Sequence, residues 1–454
     1  EMTSSLVGSE MCIRDRGKVL AENEVTVTGV EFDSRKIEAG DLFVPLQGTN
    51  DGHEFVAKAI ENGATATLWS RDPATAPEDI AVILVKDTLL AFQALASYYL
   101  LEENPDVIAI TGSNGKTTTK DMTESVLSQK FRTYKTQGNY NNDIGLPYTI
   151  LHMPEATEKL ILEMGMDHAG EISVLSELAE PDVAAITIIG EAHIENLGSR
   201  EKIADAKMEI MTGLASDGLL VIPANEPLLE DRITSLSQTV QTVGIQAGEL
   251  SATILNESKG ATVFSVDDNG YQIPLPGSYN VQNALIAMAI GRWFGLNNDE
   301  IFQGLAYVQV TQNRTQWLKA SNGADILSDV YNANPTAMGL VLDTFAKLPT
   351  NGRRLAVLAD MLELGDDSFS LHTSMVEHIN DQDFHEIFLY GDEMKGLKVA
   401  LADRYPTLAV HYFGKEDKQQ MLEDIKKSLQ ADDSIVLKGS NGMGLSEVVE
   451  ALQK

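Results

Sequence analysis

Cysteine is nearly absent. The 454 residues include one, Cys12, so no intramolecular disulfide can form, and a reducing compartment, the cytoplasm, is expected. Long apolar runs are absent too. None approaches the ~18 residues that a membrane-crossing helix needs, so no membrane insertion is expected. Basic residues are scarce, 34 Lys and Arg against 67 Asp and Glu, and the net charge of −33 repels polyanions. No nucleic acid or acidic membrane is therefore expected as a nonspecific partner. An anionic small ligand would need cations gathered at one place. The stretch 1–16 has neither an initiating Met nor the apolar centre of a signal peptide, and reads as foreign or disordered.

What is present is ordinary globular composition, 43% hydrophobic and 22% charged, in a chain about three times the usual ~150-residue domain. Several cores are expected. From Val25 to about Glu103, short β-rich runs (Val25 to Val30, Leu42 to Leu46, Thr65 to Trp69, Ala81 to Val85) alternate with helical patterns such as Glu54 to Asn62. Asn104-Pro105 reads as a linker, because a residue before proline is biased away from helix. Strands follow at Val107 to Thr111, Leu160 to Glu163 and Val183 to Ile189, with helical segments between them and a hairpin annex at Thr253 to Leu275. After Arg314 the alternation resumes, with apolar strands at Leu355 to Ala359, Ile387 to Tyr390 and Ile435 to Leu437. The expected class is α/β in three domains. They are a small N-terminal α/β domain (17–104), a central domain with a mostly parallel, P-loop-type sheet (105–313), and a Rossmann-like C-terminal domain (314–454).

The densest chemical signal is Ile110-Thr111-Gly112-Ser113-Asn114-Gly115-Lys116-Thr117-Thr118, after an apolar strand and before a helical pattern. Glycines let amides converge on phosphate oxygens, the helix start adds positive potential, Lys116 can neutralise phosphate charge, and Thr117 can ligate Mg²⁺. Ile110 occupies the place of the first glycine of the usual motif, so this is a variant loop. The alternative is a plain Gly-rich strand-to-helix turn. Gly-Ser-Asn-Gly recurs at 439 to 442 without the following Lys-Thr, which reads as coincidence. Glu163 and His193 both follow predicted strands and would emerge at the carboxyl edge of a parallel sheet, where ligands bind. Alone, each is more often a solvated carboxylate or a structural histidine; together with Thr117 they could converge on one cation. Lys207 falls inside the apolar stripe Ile203, Ala206, Ile210, Met211, Leu214 of a helix expected over Ser199 to Leu214. Either it snorkels to the surface or it is a functional amine whose pKa is lowered by burial.

Taken together, these residues resemble the Mur ligase family, the ATP-dependent amide ligases of peptidoglycan assembly. The resemblance spans nearly the whole chain after residue 17. Beyond the phosphate loop it rests on Asp33-Ser34-Arg35, Asp51-Gly52-His53, Thr136 to Asn142, Glu163-Met164-Gly165, Glu191-Ala192-His193 and Ala206-Lys207-Met208-Glu209. Tyr331-Asn332-Ala333-Asn334-Pro335 and Asp360 to Gly365 resemble the branch that adds D-alanyl-D-alanine to UDP-N-acetylmuramoyl-tripeptide. The chain departs from the family pattern at Tyr279, Ile188 and Asn441. The resemblance implies a cytoplasmic enzyme, expected to be a monomer, whose three domains take the UDP sugar, ATP and the dipeptide in turn. It implies catalytic roles for Lys116, His193 and Lys207, and Mg²⁺ ligation by Thr117, Glu163, His193 and a carbamylated Lys207. Nucleotide contacts would come from Gly112, Ser113, Asn114, Gly115, Lys116, Thr117, Thr118, Asn283, Arg314 and Asp329. Ser34, Arg35, Asp51, His53, Asn139, Asn142, Tyr331 and Asn332 would face the other substrates. The competing expectations are a third-residue-adding or folylpolyglutamate-type ligase and, from another class, a nucleotide-binding switch protein.

Overall fold

Apolar strands, each followed by a polar or Gly-bearing loop, assemble into three sheets in the computed structural model, which describes residues 18–19, 25–311 and 314–454. Segment 1–16 with Cys12 lies outside the described residues, as does the expected boundary at residue 313.

The first sheet has the order Lys18–Val19, Ala81–Leu84, Ala66–Trp69, Asp41–Phe43, Gly29–Glu31, parallel except for its first strand. The strand expected from Val25 starts only at Gly29. Helix Thr88–Glu103 buries Ala91, Phe92, Leu95 and Ala96 and ends at Asn104, a left-handed cap (φ 48°) ahead of Pro105. Its core is continuous with one face of the second sheet.

That second sheet has nine strands. Six neighbouring pairs, from Thr133–Lys135 across to Leu250–Glu257, are parallel, and Thr262–Val266 and Asn269–Ile273 add an antiparallel annex. The hairpin turns through Asp267 and Asp268, both at positive φ. Asp106–Thr111 lies between Lys159–Glu163 and Val183–Ile186, while the next strand in the chain, Thr133–Lys135, lies at the sheet edge. The connections therefore part at the carboxyl end of Asp106–Thr111, which opens a crevice there. Val183–Ile186 is shorter than expected because Thr187 to Gly190 turns over the loop that follows Thr111: Thr187 N–H donates to Thr111 O and Ser113 N–H to Ile188 O.

The third sheet runs Gln316–Lys319, Asp325–Asp329, Ser434–Lys438, Arg354–Ala359, Glu386–Tyr390, Ala409–Phe413, parallel except for the first pair. Apolar clusters cover both its faces. The helix expected over 199–214 divides into Arg200–Met208, capped by Ser199, and a tight turn Glu209–Met211. Among the described residues no helix is long and apolar enough to cross a membrane.

Candidate active site

The loop after Asp106–Thr111 holds Gly112 at φ 143° and Gly115 at φ 82°, and runs straight into helix Lys116–Leu127. A Cβ at Gly112 would collide with Thr187 Oγ1, and one at Gly115 would lie 2.6 Å from Asn283 Oδ1, so both positions exclude side chains. Ser113 Oγ donates to Gly190 O (3.2 Å), and Asn114 O accepts the Thr187 hydroxyl. Lys116 Nζ folds back onto Gly112 O at 2.8 Å. Thr117 and Thr118 are buried in the first turn of the helix, whose free N–H groups face the carboxyl edge of the sheet.

Ladder register sets Glu163 beside Ile110, one strand over. Its Oε1 accepts from Asn141 Nδ2 (2.9 Å), while Oε2 is buried with no hydrogen-bond partner and lies 3.5 Å from the buried Lys120 Nζ. Burial pushes this carboxyl up, but Lys120, Lys116 and Arg314 outweigh it and hold Glu163 below its ordinary value. His193 caps a short helix in the left-handed region (φ 61°). Its Nδ1 comes within 2.7 Å of Glu363 Oε2 and 3.3 Å of Asp167 Oδ1, off the alignment a hydrogen bond requires. Burial lowers the pKa of His193, against the pull of Glu363.

Lys207 is 1% exposed, on helix Arg200–Met208, and has no carboxylate within ion-pairing distance among the described residues. It does not snorkel. Burial drives its pKa well below the ordinary lysine value, and the charge of Lys116 pushes the same way. Lys116 itself is lowered by burial, with Glu163 opposing.

A crevice of about 290 Å³ brings Lys116, Thr117, Glu163 and His193 together with Asn139, Asn283 and groups from the third sheet. Of these last, Arg314 stacks on Tyr331 (4.2 Å to the ring centroid), and Asp329 accepts from Thr315 N–H and from the buried Lys438 (2.7 Å). Asp329 and Lys438 are register partners at the carboxyl ends of adjacent strands. Lys438 also holds Asn332 O (3.0 Å), and Asn332 lines the crevice beside Tyr331. A second, largely apolar cavity of about 300 Å³ opens behind Asn114 and Gly115, walled by Val243, Ile245 and Tyr279.

The other predicted residues lie elsewhere or are differently occupied. Ser34, Arg35, Asp51 and His53 belong to the first sheet's unit, and none lines the central crevice. Arg35 pairs with Asp33 (2.7 Å); Asp51 accepts from His53 N–H (3.0 Å) and from Arg71 Nε (3.1 Å). Asn142 Oδ1 accepts Gly145 N–H (2.9 Å) at the start of helix Gly145–Leu151. Sequence reasoning missed Lys120, Asn141, Asp167, Glu363 and Lys438. Lys120 could have been found, since it stands one helical turn after Lys116 and Thr117 and so shares their face.

Glu163 Oε2 and His193 Nδ1 are buried ligand-type atoms with no hydrogen-bond partner, and Thr117 stands on the same crevice, a donor set that fits a hard divalent cation. Among the described residues no three His, Cys, Asp or Glu form such a group by themselves, so the set is of mixed type.

The chain is similar to known proteins along most of its length. Family models match in series: "Mur ligase family, catalytic domain" at residues 26–99, "Mur ligase middle domain" at 110–291, and "Mur ligase, glutamate ligase domain" at 313–441. The UDP-N-acetylmuramoyl-tripeptide--D-alanyl-D-alanine ligase of Bacillus subtilis is 42% identical over 94% of both chains, and that of Escherichia coli 32% over 95% of both. Crystal structures of MurF from Acinetobacter baumannii (TM-score 0.87, 28% identity, 98% of each chain) and of MurF from Thermotoga maritima in complex with ADP (TM-score 0.82, 25% identity, 94% of this chain and 97% of that one) superpose on it. The chain belongs to the Mur ligase family.

Proposed function

We propose that this chain joins D-alanyl-D-alanine to UDP-N-acetylmuramoyl-tripeptide in the cytoplasm, converting ATP to ADP and phosphate. The observation that carries the reading is the central crevice. A phosphate loop, a buried carboxylate with one oxygen free of hydrogen bonds and a histidine on one sheet face the 331–335 loop of another, in a chain 42% identical to a curated ligase of that specificity.

The chemistry follows from the reactants. A carboxylate does not condense with an amine at neutral pH, and transfer of the γ-phosphoryl group makes it an acyl phosphate with a good leaving group. Two anions must meet for that transfer. Lys116 and Arg314 gather positive charge in the crevice of a chain whose net charge is −33, and the amides of Gly112 to Thr118 would cradle the phosphates. Asn283, Asp329 and the apolar cavity behind Asn114 would take the rest of the nucleotide. Thr117, Glu163 and His193 would hold Mg²⁺, which supplies Lewis-acid stabilisation of the transferring group when bound. Burial of Lys207 favours the uncharged amine that carbon dioxide needs for carbamate formation. The nitrogen bonds to CO₂ and loses a proton, and the product is a carboxylate-like ligand for the same site. The dipeptide amine then attacks the acyl carbon and phosphate leaves. Tyr331 and Asn332 would hold the acceptor, Asn139 and Asn142 the peptide, and Ser34, Arg35, Asp51 and His53 the UDP end, so that the three sheet units divide the substrates in chain order. We read the active unit as a monomer.

The test is ADP release with tripeptides carrying L-lysine or diaminopimelate, with and without D-alanyl-D-alanine. Release that rises with the dipeptide, and oxygen passing from the peptide carboxylate into phosphate, is the expected result. Release indifferent to every acceptor would make the chain a nucleotide switch.

A further inference from the structure

Helix Pro335–Lys347 walls the central crevice through Ala337, Leu340 and Val341, yet it belongs to the third sheet's unit. Its start is clamped to the central unit at two points. Asn334, 3% exposed, caps the helix by accepting Ala337 N–H on Oδ1 (2.9 Å). The same oxygen accepts from Asn114 Nδ2 (3.1 Å), and Asn334 Nδ2 donates back to Asn114 Oδ1 (3.0 Å), a reciprocal amide pair with the phosphate loop. Beside it, Glu191 Oε2 accepts both Thr336 N–H (3.0 Å) and Thr336 Oγ1 (2.7 Å). A Cβ at Gly190 would lie 3.2 Å from both Asn114 Nδ2 and Thr336 Cβ, so the gap admits little beyond hydrogen.

A cap needs one acceptor, and serine supplies it as well as asparagine does. The capping role leaves the Asn334 amide nitrogen unexplained; its bond to Asn114 explains it. From this geometry we propose that Asn334 is a positioning residue for ligation: through Asn114 it registers the acceptor-side loop 331–334 against the phosphate loop, so that the amine meets the activated carboxylate. The proposal rests on the ligase reading and deepens it. Deleting the pair would leave nucleotide binding to the loop's own amides and Lys116, and would loosen the acceptor side.

The experiment is a double-mutant cycle with Asn114→Ala and Asn334→Ser, the second of which keeps the cap. Dipeptide KM, kcat, ATP affinity and melting temperature are read for each variant. Asn334→Ser should raise the dipeptide KM about tenfold, with ATP affinity changed less than about twofold and melting within about 2 °C of wild type. The double variant should be no worse than the worse single, because the two changes remove one interaction. Additive effects, or a KM that follows melting temperature, would overturn the proposal. Should Asn334→Ser fail to fold, Asn334→Asp keeps an oxygen for the cap but loses the N–H donated to Asn114 Oδ1 and should raise the same KM; an unchanged KM there overturns it equally. A wild-type protein whose ADP release ignores the dipeptide removes the ligase reading and the proposal together. A responsive wild type with an additive cycle removes the proposal alone.

Discussion

Gly-Ser-Asn-Gly occurs twice, each time at the carboxyl end of a buried parallel strand, and the two copies fold differently. In the first, Gly112 and Gly115 both take positive φ, the loop closes under Thr187, and a helix starts at Lys116. In the second, neither Gly439 nor Gly442 does; Ser440 Oγ accepts Leu362 N–H (2.9 Å), Asn441–Met443 forms a tight turn, and Gly444 supplies the left-handed residue before helix Leu445–Gln453. The lysines beside them differ as well. Lys438, just before the second copy, is paired with Asp329, whereas Lys207, buried near the first, has no ion-pair partner among the described residues. Four identical residues thus make an open loop on the crevice in one place and a packed turn in the other. What separates them is the Lys-Thr that follows and the strand neighbours that supply Glu163 and Thr187.

The largest break in this comparison should come from Lys116→Ala. Without the ammonium, charge on the transferring phosphoryl group is uncompensated, and dipeptide-stimulated ADP release should fall by about 10²–10³-fold. Thermal unfolding should be unmoved or slightly later, since burial already penalises that charge. Activity at wild-type level in this variant would reduce the first copy to a turn like the second.

The lysine pair comes next. Lys207→Ala should lose activity, on the order of 10²-fold, and short-chain carboxylic acids should partly restore it by replacing the carbamate. Its stability should not fall, because the site loses a buried amine with no counter-charge. Lys438→Ala should do the opposite to stability, a loss of about 3–5 kcal/mol, because it strands Asp329 in a largely buried place. Urea unfolding of both variants decides it, and equal losses would erase the distinction between a functional and a structural lysine.

How much of this was legible in the sequence follows from where each interaction comes from. The phosphate loop, Glu163 and His193 could be read because strand-to-helix order and strand ends are local patterns, and Lys207 because an ammonium in an apolar stripe is anomalous within a single helix. The three-domain α/β plan was legible for the same reason. Lys120 was overlooked although helical spacing from Lys116 offered it, since in Thr-Thr-Thr-Lys it looks like any solvated helix lysine until Glu163, a strand away, is seen to face it. Asn334 and Glu363 stood in segments that carried the family resemblance, but their pairings could not be read, since the partners Asn114 and His193 lie on another sheet. The break after Met208 escaped because apolar periodicity continues through a tight turn without interruption. Asp51 and Asn142 carried family signals, yet their carboxylate and amide oxygens already serve local N–H groups.

Glycine replacements sharpen the comparison at smaller scale. Gly115→Ala imposes a side chain on a φ of 82° and on Asn283, and should cost about 1–2 kcal/mol from the backbone alone, with ATP affinity falling alongside. Gly439→Ala should cost a similar amount, about 1–3 kcal/mol, through overpacking against Ala359 Cβ at 2.6 Å, but with ATP affinity unchanged. Equal melting losses with opposite binding outcomes would show that one tetrapeptide serves a ligand and the other a core.

The smallest effect belongs to Gly442→Ala. No positive φ is required there, and the nearest atom to an added Cβ is Leu362 Cδ1 at 3.1 Å, the mobile end of a side chain that is itself 42% exposed. That tip can swing outward into solvent, so the change should stay within about 0.5 kcal/mol of wild type in urea unfolding. Gly115 and Gly442 close the same four-residue string, and chemistry intrinsic to that string would make their alanine variants alike. A loss at Gly442 as large as that at Gly115 would mean that the second copy is held as tightly as the first, and would return the tetrapeptide to consideration as a site in its own right.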